Sequence, residues 1–214
     1  MIDQIVAFAL LGADWVLYLL TALSILSIAV IIERARFFLK RRINHSSLQK
    51  EAVRAIREDT VNALNKRYGA ESAMAAKVAL AGVLHRDQGV NAASEAMHSA
   101  KLTAQEEYER LTVVLGTLGN NAPFIGLFGT VLGIIKAFHD LQENPTGGIN
   151  AVMGSTSEAL VATAVGILVA IPAVVAFNLY GRLLRSHVGR SDALAHALLS
   201  AMHAEAAAPN GEAE

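Results

Sequence analysis

The sequence predicts an all-α membrane protein with three transmembrane helices and long helical segments outside the membrane. Two observations support this prediction: the composition is strongly apolar, and the apolar residues are gathered in three uncharged blocks. Hydrophobic residues make up 53% of the 214 residues and charged residues only 17%, whereas a soluble domain averages about 25% charged residues. The formal net charge of −1 disfavours a nucleic-acid-binding protein, which needs a clustered basic face. Because the chain has no cysteine, disulfides and thiolate chemistry are excluded.

Each of the three apolar blocks is long enough to cross a bilayer, since a hydrocarbon core of about 30 Å takes about 20 helical residues. The blocks cover residues 15–32, 111–135 and 159–180. Buried helices of a soluble core are the weaker alternative, because a chain of this length cannot surround three such segments. A signal peptide is disfavoured at the first block, since the basic residues follow it rather than precede it.

Charge asymmetry predicts the orientation of the chain. Basic residues follow the first and third blocks, whereas residues 139–153, between the second and third blocks, contain no Lys or Arg. By the positive-inside rule the N-terminus lies outside and the C-terminus in the cytoplasm. The predicted division is therefore an outer segment with the first span, a cytoplasmic helical domain, the second and third spans, and a cytoplasmic helix with a disordered tail. These four segments are residues 1–43, 44–110, 111–180 and 181–214.

The polar part of the chain is predicted to be helical rather than a β domain. Apolar residues recur at helical spacing at Leu48, Ala52 and Ile56. A break is expected at residues 87–89, and a helix beginning near Asn91 is expected to run without interruption into the second block.

Small residues form one face on each of the last two blocks. In the second block they are Gly116, Gly119, Pro123, Gly126, Thr130, Gly133 and Ala137. In the third block they are Thr156, Ala159, Thr163, Gly166 and Ala170. Small residues let membrane helices approach closely, so a helix–helix contact is the favoured interpretation of the glycines. A membrane threonine also commonly bonds to its own helix backbone, which leaves the role of Thr130 open at this point.

Glu158 lies at or inside the outer end of the third block. A carboxylate in hydrocarbon costs several kcal/mol, so such residues usually line a pathway or pair with a partner. The structural alternative is an ion pair with Lys136, at the outer end of the second block. Glu158 and Thr163 are five residues apart, about 140° around a helix, so they do not share a face.

Two segments resemble a known family. Residues 121–135 (NAPFIGLFGTVLGII) and 157–178 (SEALVATAVGILVAIPAVVAFN) resemble the second-span and third-span motifs of the MotA/TolQ/ExbB proton-channel family. Both motifs occur in the expected order, and three spans with an outer N-terminus are similar to its ExbB/TolQ branch. Thr130, Thr163 and Glu158 match the pore threonines and the third-span glutamate of that family.

The resemblance implies an arrangement and a mechanism. It implies a homopentamer in the bacterial inner membrane whose second and third helices line a central pore. Gly126, Gly133, Ala159 and Gly166 would form the small-residue packing that faces this pore. A dimer of a single-span, ExbD/TolR-like partner would thread the pore and supply the proton-carrying aspartate. Proton flow would then do work on the cell envelope through a TonB-like, TolA-like or motility effector.

Several alternatives remain open from the sequence. The work could be TonB-type uptake, Tol–Pal-type envelope maintenance or gliding motility. The favoured ion is the proton, because Ala162 beside Thr163 lacks the second hydroxyl that would help to replace a sodium ion's hydration shell; a sodium-driven version is the alternative. A passive scaffold without ion conduction is the alternative from another class. An enzyme is disfavoured, since no nucleophile–base pair, phosphate loop or metal-spaced His cluster is apparent, and no cofactor is expected.

Overall fold

The structure, a computed structural model, describes residues 12–58, 60–143 and 148–207. Its regular elements within these ranges are all helical, which confirms the predicted all-α class. The α-helices are α1 (Asp14–Lys40), α2 (His45–Arg57), α3 (Val61–Tyr68), α4 (Met74–Leu84), α5 (Val90–Glu109), α6 (Thr112–Glu143) and α7 (Gly148–Ala207). A short 3₁₀ helix, Arg86–Gln88, precedes α5.

Three of these helices are long and apolar enough to cross a membrane. They are α1, α6 and the part of α7 from Val152 onwards, and they contain the predicted apolar blocks except for Leu111, which precedes α6. The three predicted spans are thereby confirmed as candidate spans, while their orientation and the four-segment division stay predictions. The predicted outer N-terminal segment (residues 1–11), residues 144–147 of the outer connection and residues 208–214 of the predicted tail lie outside the described residues.

The prediction of one uninterrupted helix from Asn91 into the second block is wrong. Helix α5 begins at Val90, ends at Glu109, and is followed by α6 at Thr112. Between them Leu111 has a φ of 63°, in the left-handed region that an α-helix of L-residues cannot include. The backbone N–H of Arg110 donates to the carbonyl oxygen of Glu106 and closes the last turn of α5.

The chain divides into two compact units. Unit 1 comprises the described residues of 1–34 and 111–179, and unit 2 comprises the described residues of 35–110 and 180–214. In unit 1, α1 packs against α6 and α7 around a buried apolar cluster of Val16, Leu20, Ala122, Leu132, Val169 and Ala170. The ring of Trp15 lies edge-on to Phe128, with 6.2 Å between the ring centroids.

Unit 2 is organised around a cluster of rings. Tyr108 is fully buried, and its ring centroid lies 5.0 Å from that of Phe37 and 5.4 Å from that of Phe38. The Phe38 ring stacks on Tyr180 at 5.5 Å, and the His187 ring lies 5.3 Å from Tyr108.

Two ion pairs to one carboxylate lie beside this ring cluster. Glu107 accepts from the Lys77 Nζ at 2.6 Å and from the Arg41 Nη2 at 3.4 Å. These contacts join α4, α5 and the segment that follows α1, all within unit 2.

Candidate functional site

The candidate site lies where α6 crosses α7 in unit 1, and glycines bring the two backbones together there. A Cβ atom added at Gly126 would lie 2.7 Å from the carbonyl oxygen of Ala162 and 3.0 Å from the Cα of Thr163. A Cβ added at Gly166 would lie 2.7 Å from the carbonyl oxygen of Ala122. These distances leave no room for a side chain, so each helix accepts the other at backbone contact, as small residues permit in membranes.

The same contact continues toward the end of α6. A Cβ added at Gly133 would lie 2.5 Å from the Ala159 Cβ. One added at Gly129 would lie 2.8 Å from the Ala162 Cβ and 3.1 Å from the Val16 Cγ1 of α1. The structure thus brings together all four residues predicted for small-residue packing, as a contact between α6 and α7 of one chain. That they face a pore stays a prediction.

The two predicted pathway threonines have different surroundings. The hydroxyl of Thr130 donates to the carbonyl oxygen of Leu127 at 2.6 Å, the back-bond that is common for threonine in helices. The Oγ1 atom of Thr163 is buried and has no hydrogen-bond partner among the described residues. The Thr163 hydroxyl is therefore available as both a donor and an acceptor. Leaving such a buried hydroxyl unsatisfied costs about 1–3 kcal/mol.

Glu158 and Lys136 point to different environments. Glu158 is exposed, and no ion pair joins it to Lys136 within the part of the chain that the structure describes. The Lys136 side chain instead lies against Gly12, two residues before α1, where a Cβ would be 2.9 Å from the Lys136 Cδ and 3.2 Å from its Nζ. Gly12 has a φ of 76°, so glycine is favoured there both by backbone conformation and by space. Within one chain the alternative of a Glu158–Lys136 ion pair is therefore not realised.

Polar groups also meet at the end of α6. The Ser155 hydroxyl donates to an Asp140 carboxylate oxygen at 3.4 Å, and the His139 Nε2 lies 3.8 Å from a Glu143 carboxylate oxygen. Among the described residues there is no group of three or more His, Asp or Glu side chains that could hold a metal ion.

Sequence reasoning missed three features of this unit. Gly129 was not placed on the packing face, although its spacing from Gly126 and Gly133 is the helical i, i+3, i+7 pattern that could have revealed it. The contact between Lys136 and Gly12 has no sequence signal, because the two residues are far apart in the chain. The buried hydroxyl of Ser27, which has no hydrogen-bond partner among the described residues, is likewise indistinguishable in sequence from a serine that faces lipid.

The site as a whole is a rigid crossing of two helices beside an unpaired hydroxyl in an apolar span. Backbone contact at Gly126 and Gly166 fixes the helix segment that contains Thr163, and Thr130 lies one helical turn from Gly126. Such an arrangement can hold a proton-donating and proton-accepting group at a defined place in a membrane.

Comparisons with known proteins agree with these features. A sequence model of the MotA/TolQ/ExbB proton channel family matches residues 33–193. The chain is 45% identical over 89 residues to the biopolymer transport protein ExbB of Pseudomonas putida, an alignment of 41% of this chain and 27% of that protein. It is 49% identical over 84 residues to ExbB of Neisseria gonorrhoeae, covering 39% of this chain and 38% of that protein.

A relative named TolQ is similar over a longer stretch. The Tol-Pal system protein TolQ of Pseudomonas aeruginosa is 33% identical over 117 residues, which cover 55% of this chain and 51% of that protein. The chain thus spans between about a quarter and a half of the length of these curated relatives. Because the family match extends from the end of α1 through α6 and well into α7, this chain belongs to the MotA/TolQ/ExbB proton channel family.

Proposed function

We propose that this chain is the ring-forming channel subunit of a proton-driven motor in the bacterial inner membrane. Five copies surround a pore lined by α6 and α7, with the N-terminus in the periplasm and the C-terminus in the cytoplasm. A dimer of an ExbD/TolR-like single-span protein occupies the pore. Proton flow turns one component relative to the other and does mechanical work on the cell envelope. Membership of the proton channel family and the names of the relatives, which refer to biopolymer transport and the Tol-Pal system, support this proposal.

The observation that supports the mechanism best is the unpaired hydroxyl of Thr163. It is buried in a span and held beside a backbone contact that cannot shift easily. In the proposed pore this hydroxyl exchanges hydrogen bonds with water or with the moving carboxyl of the partner. Because it has no competing bond within its own helix, Thr163 is the residue whose loss we expect to matter most.

Thr130 and Glu158 have supporting roles in the proposed pathway. The Thr130 hydroxyl already donates to Leu127, so it offers its lone pairs as an acceptor while that bond persists. Glu158 is exposed on α7 and lies about 140° around the helix from Thr163. We propose that it draws protons toward the outer mouth of the pore rather than acting at the same point as Thr163.

The decisive experiment measures proton flux into proteoliposomes that contain this chain and its single-span partner. Thr163→Val keeps the shape of the side chain and removes the hydroxyl, so flux should be abolished while the assembly stays intact. Thr117→Val is the matched control, because Thr117 is exposed on α6 and its hydroxyl donates to the Val113 carbonyl oxygen at 3.1 Å. Undiminished flux in Thr163→Val, or equal losses in both variants, would contradict the proposed pathway.

The order of effects among the pathway residues is a further test. Thr130→Val should reduce flux only in part, because the hydroxyl is shared with the helix backbone. Glu158→Gln should reduce flux strongly, since glutamine keeps the size of the side chain but cannot ionise. Glu143→Gln serves as its control, because Glu143 is an exposed residue near His139 at the end of α6.

The same liposomes distinguish the proton from sodium. Flux should be unchanged when the sodium gradient is removed, because Ala162 provides no second hydroxyl beside Thr163. Flux that requires sodium would show that sodium, rather than the proton, is the conducted ion, and would leave the rest of the mechanism in place. No flux of either ion in the presence of a bound partner would favour a passive scaffold.

Assembly and orientation need separate measurements. Native mass spectrometry in mild detergent should show a pentamer, and only monomers or dimers would contradict the proposed ring. Labelling of intact cells should reach a tag at residue 2 or within residues 140–150 and should not reach tags near residues 60 or 210. Labelling of the tag near residue 60 would contradict the proposed orientation.

A further inference from the structure

Two histidines of unit 2 face each other inside the ring cluster. His45 begins α2 and His187 lies on α7, and their ring centroids are 6.1 Å apart. The His187 ring also lies 5.3 Å from the ring of Tyr108 and 6.0 Å from that of Phe38. The ring of each histidine thus contacts a helix other than the one to which that histidine belongs.

The surroundings of this pair do not accommodate a positive charge. The His45 Nδ1 is buried and has no hydrogen-bond partner among the described residues. The charged group that acts on both rings is Arg190, on α7. No ion pair joins His45 or His187 to a carboxylate in the described ranges. His45 also lies in the first turn of α2, where the helix dipole disfavours a cation.

The other titratable groups near the pair do not offset that charge. Burial, as the largest effect, raises the pKa of the Tyr108 phenol, so this group stays neutral. Arg41 lies over the Phe37 ring at 3.6 Å and adds positive rather than negative charge. The Glu107 carboxylate is engaged by Lys77 at 2.6 Å and by Arg41. Among the described residues, a proton added to either histidine therefore meets Arg190 and the other imidazole without a compensating anion.

The direction of the pKa shifts agrees with this geometry. Burial lowers the pKa of His45, and Arg190 lowers it further. Burial also lowers the pKa of His187, with smaller contributions from His45 and Arg190. Both folded-state pKa values lie below the ordinary value of about 6.5. The two neutral histidines therefore contribute fully to the stability of the folded state above about pH 6.5. This contribution is lost as the pH falls from there through the folded-state pKa values.

We propose that His45 and His187 form a proton-sensitive contact that loosens the packing of α2 with α7 in unit 2 when the surrounding solution becomes acidic. Protonation places unpartnered charge among buried rings and against Arg190, which favours separation of the two histidines. The physiological role rests on the proposed function: with unit 2 in the cytoplasm, protons that enter faster than they are buffered would loosen this unit and limit the motor. The contact itself does not depend on conduction.

The test uses the full chain in lipid nanodiscs without the partner, so its outcome is independent of proton flux. Nuclear magnetic resonance of histidines labelled at the Cε1 position follows all seven imidazoles between about pH 8 and pH 5. Two signals should titrate below the ordinary histidine pKa, and His45→Gln and His187→Gln should each remove one of them. His203→Gln is the matched control, since His203 is exposed on the same helix as His187.

Hydrogen–deuterium exchange tests the consequence for packing. After correction for intrinsic rates, exchange in residues 45–52 and 183–190 should rise several-fold from about pH 7.5 to about pH 5.5. His187→Phe keeps a ring in the cluster without a titratable group and should lose most of this rise, as should His45→Gln. The proposal is overturned if the two signals assigned to His45 and His187 titrate at the ordinary histidine pKa or above it. It is also overturned by an acid-induced rise that persists unchanged in both variants.

Discussion

The packing inside unit 1 and the packing inside unit 2 rely on opposite kinds of side chain. In unit 1 the helices α6 and α7 meet at backbone distance through glycine and alanine, and an added methyl group at Gly126 has no space. In unit 2 the buried ring of Tyr108 contacts Phe37, Phe38 and His187, and the ion pairs of Glu107 lie beside it. We therefore expect unit 1 to be sensitive to added volume and unit 2 to deleted volume.

The difference follows from the solvent expected for each unit. Lipid is as apolar as a side chain, so large apolar residues provide little drive for helix association in a membrane, and close packing of small residues takes their place. In water the burial of large rings is favourable roughly in proportion to the apolar area removed. Several large apolar side chains of α6 in unit 1 are accordingly exposed, among them Phe124 and Phe138, each about two-thirds exposed.

The largest expected effect comes from deleting the central ring of unit 2. Tyr108→Ala should destabilise this unit by about 3–5 kcal/mol, the range for removing a large buried ring. Tyr108→Phe is the control, because it keeps the ring and loses only the hydroxyl, which accepts from the Met74 N–H at 3.4 Å; a loss of about 0.5–1.5 kcal/mol is expected. Hydrogen–deuterium exchange in residues 37–45 and 104–109 measures both, and similar losses would contradict the dominance of ring packing.

The converse experiment adds one methyl group to unit 1. Gly126→Ala should destabilise the α6–α7 contact by about 1–3 kcal/mol, since the new Cβ meets backbone atoms that cannot rotate away. Gly154→Ala on α7 is the control, because nothing lies within 4 Å of a Cβ at that position. Thermal denaturation of the full chain in nanodiscs compares the two variants. Equal melting temperatures would show that the close contact contributes nothing to stability.

A third change distinguishes the glycines of the two units. Gly189 lies on α7 in unit 2, and a Cβ there has open space around it. Gly189→Ala should therefore stabilise the helix by about 0.5–1 kcal/mol, because alanine loses less conformational freedom on folding. The same denaturation assay should give a melting temperature above that of the unmodified chain. A lower melting temperature would contradict the open surroundings of Gly189.

The smallest expected effect concerns the ion pairs of unit 2. Glu107→Gln removes the partner of Lys77 and Arg41, whose side chains are partly exposed. A loss of about 0.2–1 kcal/mol is expected, and it should shrink as salt screens the charges. Glu109→Gln is the control, because the exposed Glu109 accepts a hydrogen bond from Gln105 and no ion pair joins it to a basic residue among the described residues. A loss independent of salt would point to a packing effect instead.

Much of the architecture was predictable because it depends on local pattern. Hydropathy and length identify three spans without knowledge of their neighbours. Small residues at helical spacing likewise predicted that Gly126, Gly133, Ala159 and Gly166 pack between helices. The interruption at Leu111 was not predictable, since no proline or glycine stands there and the residue takes a left-handed conformation that packing must impose.

The site shows the same division between local and long-range information. By itself the sequence determined the residue types of the candidate pathway, Thr130, Thr163 and Glu158, and the family to which the chain belongs. Only the tertiary structure decided that the Thr130 hydroxyl is bonded and the Thr163 hydroxyl is not, and that Lys136 lies against Gly12 rather than Glu158. The reason is physical. The sequence shows the same threonine whether or not its hydroxyl is hydrogen-bonded, because that bond depends on the rotamer that neighbouring helices permit.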